Sequence, residues 1–296
     1  RQMCIRDSLL VDGRYATQAE MQCSASGATA KVHVITQPTD KARSVRGAIG
    51  ECEVVFDPRD MTVAELQQLS DHLSAPLHPG GHPFSALRRI KDDAELARIV
   101  RSAHIADAAL QAVCADGLVG KTERDIRNRI DTLMLQAGAD RTSFDTIVAS
   151  GPNSAMPHHR PSSRVVEASD AVIIDMGAEV DGYRSDMTRT HVPQSSSRGI
   201  RHMADVVREA QAVGVTSMTS GIDTYDVDDA VRNVFRRHGV EELFVHGSGH
   251  GVGLVIHEEP LINARQHAVL ESGEVVTMEP GLYREGVGGV RIEDLV

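Results

Sequence analysis

Residues 171–190 read AVIIDMGAEVDGYRSDMTRT. Val172, Ile173 and Ile174 mark a strand buried on both faces, and Asp181-Gly182 is a dipeptide that closes a two-residue hairpin turn. The segment therefore predicts an antiparallel hairpin with an acid on each arm, Asp175 and Asp186. A two-residue turn at 181 and 182 makes Asp186 a diagonal neighbour of Asp175, near enough for the two to share a ligand. An isolated charge on such a strand is costly, so Asp175 needs a partner.

Downstream the pattern repeats. Glu279 sits in VVTMEPGLY and Glu293 in VRIEDLV, again acids on apolar strands, and His250 and His257 fall in HGSGHGVGLVIHEEP, whose glycines let the backbone approach something closely. Taken singly, each acid reads as a salt-bridged or surface residue and each histidine as a hydrogen-bonded core residue. Together, four strand carboxylates and one histidine make an oxygen-rich set suited to divalent cations. Four negative charges balance two such ions. A carboxylate-bridged pair of ions roughly 3.5 to 4 Å apart can activate a shared water and stabilise the oxyanion formed when a carbonyl is attacked. The reaction class this predicts is metal-assisted hydrolysis.

The surrounding pattern predicts an α+β domain. From Lys91, Leu96, Ile99, Ala103, Ala106, Leu110 and Val113 recur every three or four residues, as on one helix face. A second helix starts at Thr122 with Asp125 three residues on and stops at Gly138; two more cover about 200–213 and 227–238. Strands are expected at SFDTIVAS, AVIIDMG, YRSDMTRTHV, EVVTMEPGLY and GVRIEDLV. Paired helices with hairpin strands indicate α+β rather than a βαβ sheet. Residues 9–85 read as a small α/β unit, with strands at LLVDGRY, KVHVITQ and ECEVVFDP and a helix capped by Thr62 and Glu65. Residues 74–85 (SAPLHPGGHPFS) read as a linker and place a domain boundary there. The opening RQMCIRDS, residues 1–8, reads as a non-native leader, and the chain stops inside an apparent strand at Val296.

Composition excludes other classes. A formal charge of −11 and a pI near 5.7 argue against nucleic acid, which needs clustered Lys and Arg, and 5 Phe, 4 Tyr and no Trp leave little for base stacking. No apolar run approaches the roughly 18 residues of a membrane helix. Cys4, Cys23, Cys52 and Cys114 match no metal or disulfide spacing and read as free thiols; with no secretory signal, the expected location is cytoplasmic. Several motifs fail. A phosphate loop ending at Gly120-Lys121-Thr122 needs a glycine where Ala115 stands, and a zincin motif from His257-Glu258 needs a histidine where Leu261 stands. No G-x-S-x-G or G-x-G-x-x-G occurs. His72, His78 and His82 read as surface histidines without carboxylate partners.

The segments IVASGPNSAMPHHRP, IIDMGAEVDGYRSDMTRT, HGSGHGVGLVIHEEP, TMEPGLY and GVRIED resemble, in order and spacing, the Xaa-Pro aminopeptidases and Xaa-Pro dipeptidases (prolidases). These belong to the pita-bread superfamily with methionine aminopeptidase and creatinase. The resemblance runs from about Leu9 to Val296. It implies a pita-bread catalytic domain over 86–296, truncated at its C-terminus, behind a partial creatinase-type α/β domain over 9–85. It also implies five metal ligands at Asp175, Asp186, His250, Glu279 and Glu293, with one aspartate and the last glutamate bridging two divalent ions.

Outside that set, the resemblance assigns His158 and His257 to the scissile carbonyl or the tetrahedral intermediate and His246 to the wall near proline. Arg291 would orient an acidic ligand or bind substrate. Neighbouring His159 has no counterpart and reads as loop surface. In the implied mechanism a hydroxide activated by two metals attacks the carbonyl before proline, and Glu279 carries its proton to the leaving nitrogen. Mn²⁺ is the expected metal, with Co²⁺, Zn²⁺ and Fe²⁺ also compatible. The expected partner is a peptide with proline in second position, and the expected assembly a homodimer, with no membrane. The alternatives are a methionine aminopeptidase-like or other pita-bread enzyme and, outside catalysis, an inactive binding module or inactive fragment. Intact ligands count against the module and against creatinase chemistry, and the preceding α/β unit counts against methionine aminopeptidase.

Overall fold

In a computed structural model, which describes residues 8–49, 52–81 and 85–296, the chain forms two units, Arg1–Ser85 and Ala86–Val296. In the first, strands β1 (Ser8–Asp12) and β2 (Lys31–Ile35) pair in parallel around helix α1 (Ala16–Ser26). After α2 (Pro38–Ile49), strand β3 (Val54–Phe56) is followed by α3 (Val63–Ser70) and pairs in parallel with β4 (Leu77–Pro79). The Thr62–Glu65 capping box predicted from sequence forms at the start of α3.

Three elements of this unit are missing from the sequence reading. Helix α1 buries only Ala19, so it shows no apolar period. Helix α2 opens on Pro38, directly after the stretch KVHVITQ read as strand. Strand β4 lies inside the stretch read as a linker, a correction: Pro79 has no N–H to donate, but at the end of a strand paired on one side it loses nothing. There His78 lies 3.7 Å from the Glu53 carboxylate, so one of the three surface histidines does have an acidic neighbour. Residues 1–7 with Cys4, Glu51 of the strand read at 51–58, and residues 82–84 with His82 lie outside the described residues; Ser8, read as leader, opens β1. Among the described residues Cys23, Cys52 and Cys114 are free, and no helix is long and apolar enough to cross a membrane.

The short α4 (Ser85–Arg89) starts on the last residue of the first unit and opens the second, followed by the long α5 (Asp93–Ala115), capped by Asp92, whose side chain accepts from the N–H groups of Ala94 and Glu95. Helix α6 (Glu123–Gln136) starts from the Thr122–Asp125 capping box. Strand β5 (Arg141–Thr142) pairs with β8 (Ala178–Val180), and β8 with β9 (Tyr183–Arg184). Strand β7 (Val172–Met176) is central between β6 (Ile147–Ser150) and β10 (Met187–His191), all antiparallel. Asp181 and Gly182, at φ 50° and 83°, make the tight turn, and Thr188 stands opposite Asp175. Asp186 is therefore the diagonal neighbour that the two-residue turn predicts.

Two helix pairs cover two sets of strands. Ile126, Ile130 and Met134 of α6, with Ala106, Ala109 and Leu110 of α5, bury against Val148, Val172 and Ile174. Helices α7 (Arg198–Ser217) and α8 (Thr224–Arg237) form the second pair. Its Val206, Val207, Val231, Val234 and Phe235 bury against Ile262, Met278, Leu282 and Val290. Each fully buried side chain of this size contributes about 1.5 to 3 kcal/mol. The second half holds β11 (Gly249–Gly251), β12 (Glu258–Ile262), β13 (Thr277–Met278), β14 (Gly281–Arg284), β15 (Gly288–Arg291) and β16 (Asp294–Leu295), in antiparallel pairs β11–β12, β14–β15 and β13–β16.

Strands that read as continuous are interrupted at the acids. Asp186 falls between β9 and β10, Glu279 between β13 and β14, and Glu293 between β15 and β16. A break in pairing re-aims one side chain out of the pleat. Three separate breaks turn three carboxylates toward one place.

Candidate active site

That place is a cavity of about 1090 Å³. All nine residues nominated from sequence line it: Asp175, Asp186, His250, Glu279 and Glu293, with His158, His246, His257 and Arg291. The ligand atoms of Asp186, His250 and Glu293 lie within 4.8 Å of one another. Glu279 joins them through His250, whose Nε2 is 3.6 Å from Glu279 Oε1 and 3.7 Å from Asp186 Oδ2. Asp175 is drawn aside: its Oδ2 accepts a 2.6 Å bond from Arg291 Nη2.

His250 gives the clearest chemical statement. Its Nδ1 donates to the Gly251 carbonyl at 3.0 Å, and burial holds its pKa down to about 4, so the ring is neutral with the Nε2 lone pair turned toward two acids. Lone pair faces carboxylate oxygen beyond hydrogen-bonding distance, an arrangement that is repulsive unless a cation lies between. The segment can come this close because a Cβ at Gly249 would lie 2.0 Å from the Thr277 carbonyl oxygen. The strand before Glu279 thus packs directly on the strand that carries His250.

The acids report the same deficit of positive charge. Burial, then Glu293, Asp175 and Glu279, push the Asp186 carboxyl well above its ordinary range. Burial, Glu279 and Asp175 do the same to Glu293. Burial pushes Glu279 up to about 7, against the opposing pull of Arg291. Asp175 Oδ1 and Glu293 Oε1 are buried with no hydrogen-bond partner. Orphaned buried carboxylate oxygens are costly, and a divalent cation satisfies both the charge and the coordination. Four carboxylates and one imidazole fit such an ion in donor type and in charge.

Arg291 is only 3% exposed. Besides Asp175, it donates to Thr188 Oγ1 (Nε, 3.0 Å), to Tyr283 Oη (Nη1, 2.8 Å) and to the Pro157 carbonyl (Nη1, 3.3 Å). These contacts fix the guanidinium beside Asp175. The same Thr188 hydroxyl donates to Glu293 Oε2 at 2.8 Å. His246 is buried and held down to about 4 by burial; its Nδ1 donates to the Gly247 carbonyl and its Nε2 accepts from Tyr283 Oη at 2.9 Å. With both ring nitrogens engaged, it offers the cavity a ring surface and no free N–H. The His257 ring packs edge-on against His250, with centroids 4.4 Å apart.

Several contributors are absent from the sequence reading. Thr188 is legible only from the register that sets it opposite Asp175. Tyr283 gives no signal beyond its place in EPGLY. Buried Asp228 accepts from Ser248 Oγ and Arg232 Nε, both at 2.7 Å, and Arg232 Nη2 donates to the His246 carbonyl, so this network fixes the 246–250 segment from beneath. His159 is a correction. Expected at the loop surface, its Nε2 lies 2.8 Å from Glu123 Oε2 and its side chain is only 10% exposed, because Glu123 is a buried carboxylate that needs donors.

Comparisons with known proteins agree with this geometry. The model of metallopeptidase family M24 matches residues 97–296. The chain is 40% identical over 210 residues to an Xaa-Pro dipeptidase of Pyrococcus horikoshii, a match covering 71% of this chain and 60% of that protein. Among solved structures, the Xaa-Pro dipeptidase from Bacillus anthracis superposes with a TM-score of 0.92 at 34% identity, over 98% of this chain and 81% of that one. Prolidase from Pyrococcus furiosus gives 0.89 at 31%, over 98% and 83%. The chain thus spans about 60% of the length of the Pyrococcus relative whose sequence it matches. By these matches and by its α+β pita-bread architecture, the chain belongs to metallopeptidase family M24.

Proposed function

We propose that the protein is a metal-dependent peptidase that hydrolyses the bond between an N-terminal residue and proline, in dipeptides or at the start of longer peptides. The observation that carries this is the neutral His250 with its lone pair toward Asp186 and Glu279, in one cavity with Glu293, Asp175 and four further histidines. Asp175, Asp186, His250, Glu279 and Glu293 would hold two divalent ions. Such ions supply a nucleophilic water at neutral pH and polarise the carbonyl.

The residues of the chain do the rest. Glu279 lines the cavity beside His250 with a carboxylate oxygen able to accept a proton. It takes one from the attacking water and delivers it to the proline nitrogen, which cannot leave as an anion. His158 and His257 line the cavity with side chains able to donate to the carbonyl oxygen as it gains charge. His246, its nitrogens occupied, presents its ring to the proline side chain. Arg291 holds Asp175, and through Pro157 the approach to His158.

The proposal includes Mn²⁺ as the working metal, a homodimer and a cytoplasmic location. The first two rest on the family resemblance, the third on unpaired cysteines. A panel of Xaa-Pro dipeptides and Xaa-Pro-Yaa tripeptides, assayed with Mn²⁺, Co²⁺, Zn²⁺ and Fe²⁺ in turn, tests it. Cleavage of Ala-Pro or of an Xaa-Pro-Yaa peptide is expected. Removal of methionine from Met-Ala peptides with no action on proline would instead assign the methionine aminopeptidase branch, and no cleavage of any peptide by metal-loaded protein would point to the binding module.

A further inference from the structure

Glu123 is fully buried, far from the acids that face the cavity in sequence, and no step of the proposed reaction uses it. Its two oxygens nevertheless collect six hydrogen bonds. Oε1 accepts from Ser150 N (2.8 Å), Ser150 Oγ (2.8 Å) and Asn153 Nδ2 (3.0 Å). Oε2 accepts from His159 Nε2 (2.8 Å), Ser162 N (3.0 Å) and Ser162 Oγ (2.7 Å). One carboxylate therefore grips both shoulders of a single loop, residues 150–153 on one side and 159–162 on the other. His158 stands between them, immediately before His159.

The ring of His158 makes no hydrogen bond to the protein among the described residues, so its position in the cavity depends on the backbone that carries it. Around His158 that backbone is tied to Glu123 on each shoulder and at Pro157, whose carbonyl accepts from Arg291; further back, Gly151 N donates to the Ala171 carbonyl and Ser154 Oγ accepts from Gly289 N. Glu123 is the first residue of α6, where the helix N-terminus favours a negative charge. The Glu123 and Arg124 N–H groups donate to the Arg164 and Ser162 carbonyls, which ties the helix start to the same loop. No Lys or Arg side chain bonds directly to Glu123 among the described residues, and its one ionisable partner is His159. The carboxylate is suited to a loop that must offer two backbone N–H groups and several side-chain donors to one acceptor.

We propose that Glu123 is a positioning residue of the peptidase reaction: gripping both shoulders of the 150–162 loop, it holds His158 at the scissile carbonyl and acts on catalysis only through that histidine. This rests on the Xaa-Pro peptidase reading above. Glu123→Gln replaces one acceptor oxygen by an NH₂ group that faces a backbone N–H, so one shoulder is released while volume is kept.

The test is a double-mutant cycle on the metal-loaded protein with an Xaa-Pro substrate, comparing Glu123→Gln, His158→Ala and the double variant. Glu123→Gln is expected to lower kcat about 10- to 100-fold, the scale of a catalytic group displaced by about 1 Å, with KM and bound metal within about twofold of wild type. In the His158→Ala background the same change should cost less than about threefold. Additive losses, or a loss of bound metal in Glu123→Gln, overturn the proposal. If Glu123→Gln does not fold, Ser162→Ala, which removes one hydroxyl donor to the same carboxylate, takes its place in the cycle.

Hydrogen exchange on the metal-free protein gives a readout without activity. Faster exchange confined to residues 150–164 of Glu123→Gln is expected, and unchanged exchange there overturns the clamp. Should wild-type protein cleave no Xaa-Pro peptide, the peptidase reading fails and exchange alone decides whether Glu123 holds the loop.

Discussion

Glu123 and Glu293 are both almost wholly buried, 0% and 2% exposed, yet their carboxyl groups are driven in opposite directions. Burial raises both. At Glu123 that rise is more than offset by hydrogen bonds from Ser162, His159, Asn153 and Ser150, which hold the group down to about 2. At Glu293 burial is reinforced by Glu279 and Asp175, and the one hydroxyl of Thr188 is too little to reverse it. The first carboxylate is fully solvated by protein. The second keeps an orphaned oxygen. The same chain satisfies one buried acid six times over and leaves oxygens of Asp175 and Glu293 unsatisfied, which fits a cavity that takes a divalent cation.

The largest effect that would break this contrast is on the unsatisfied side. Asp186→Ala removes an acid from the trio with His250 and Glu293, and hydrolysis is expected to fall on the order of 10³-fold, beyond the 10- to 100-fold typical when outer partners are lost. Metal analysis should find fewer than two equivalents bound. An Asp186→Ala protein that kept two equivalents would remove this acid from the ligand set.

Next in size is the response of stability to metal. At a free Mn²⁺ concentration about 100 times its Kd, wild type should gain about 2.7 kcal/mol for each ion bound, read as a rise in Tm. Glu123→Gln should gain the same increment from a lower baseline, because its carboxylate takes no part in the metal site. The increment should also shrink at pH 5 compared with pH 8. Glu279, raised to about 7, is protonated at pH 5 and must lose that proton to bind a cation. An increment that is larger at pH 5 would contradict the assignment of Glu279 to the site.

A smaller change is expected from Thr188→Val, which leaves volume in place but removes the hydroxyl shared by Glu293 and Arg291. Outer partners of metal ligands are worth about 10- to 100-fold in affinity or activity, and a titration of Mn²⁺ against activity would show it. Unaltered metal affinity and kcat would mean that the orphaned acids need no orienting group.

The smallest effect lies on the acid limb of stability. Glu123 has its folded pKa lowered to about 2 from an ordinary value of 4.5, so its contribution is complete above about pH 4.5 and is lost as the pH falls from there toward 2. At pH 3.5 wild type should have lost about 1 kcal/mol of it, whereas Glu123→Gln has none to lose. Denaturant midpoints of the two proteins should therefore converge as the pH is lowered. Parallel curves would show that the six hydrogen bonds do not discriminate the charged form.

The two acidic regions also differ in how well sequence reveals them. Asp175, Asp186, Glu279 and Glu293 stand out because acids on apolar strands violate the period-two pattern, and the Asp-Gly turn sets Asp186 diagonal to Asp175. What sequence hides is that three of these strands break at the acid, since a break in pairing changes no residue type. Glu123 is invisible for a different reason. It follows the N-cap of an ordinary helix, where an exposed glutamate is the commonest reading, and its six partners come from a loop that only the tertiary fold brings to it. His159 inherits the same obscurity and was read as surface. In the first unit, α1 and β4 escaped because one buries a single alanine and the other lies among prolines and glycines.

The most direct test of the account is anomalous diffraction from crystals of the protein grown with Mn²⁺. Two manganese peaks among Asp175, Asp186, His250, Glu279 and Glu293, and none at Glu123, are predicted. Peaks absent from that cavity, or a Glu279 and Asp186 pair joined by a shared proton in their place, would contradict it.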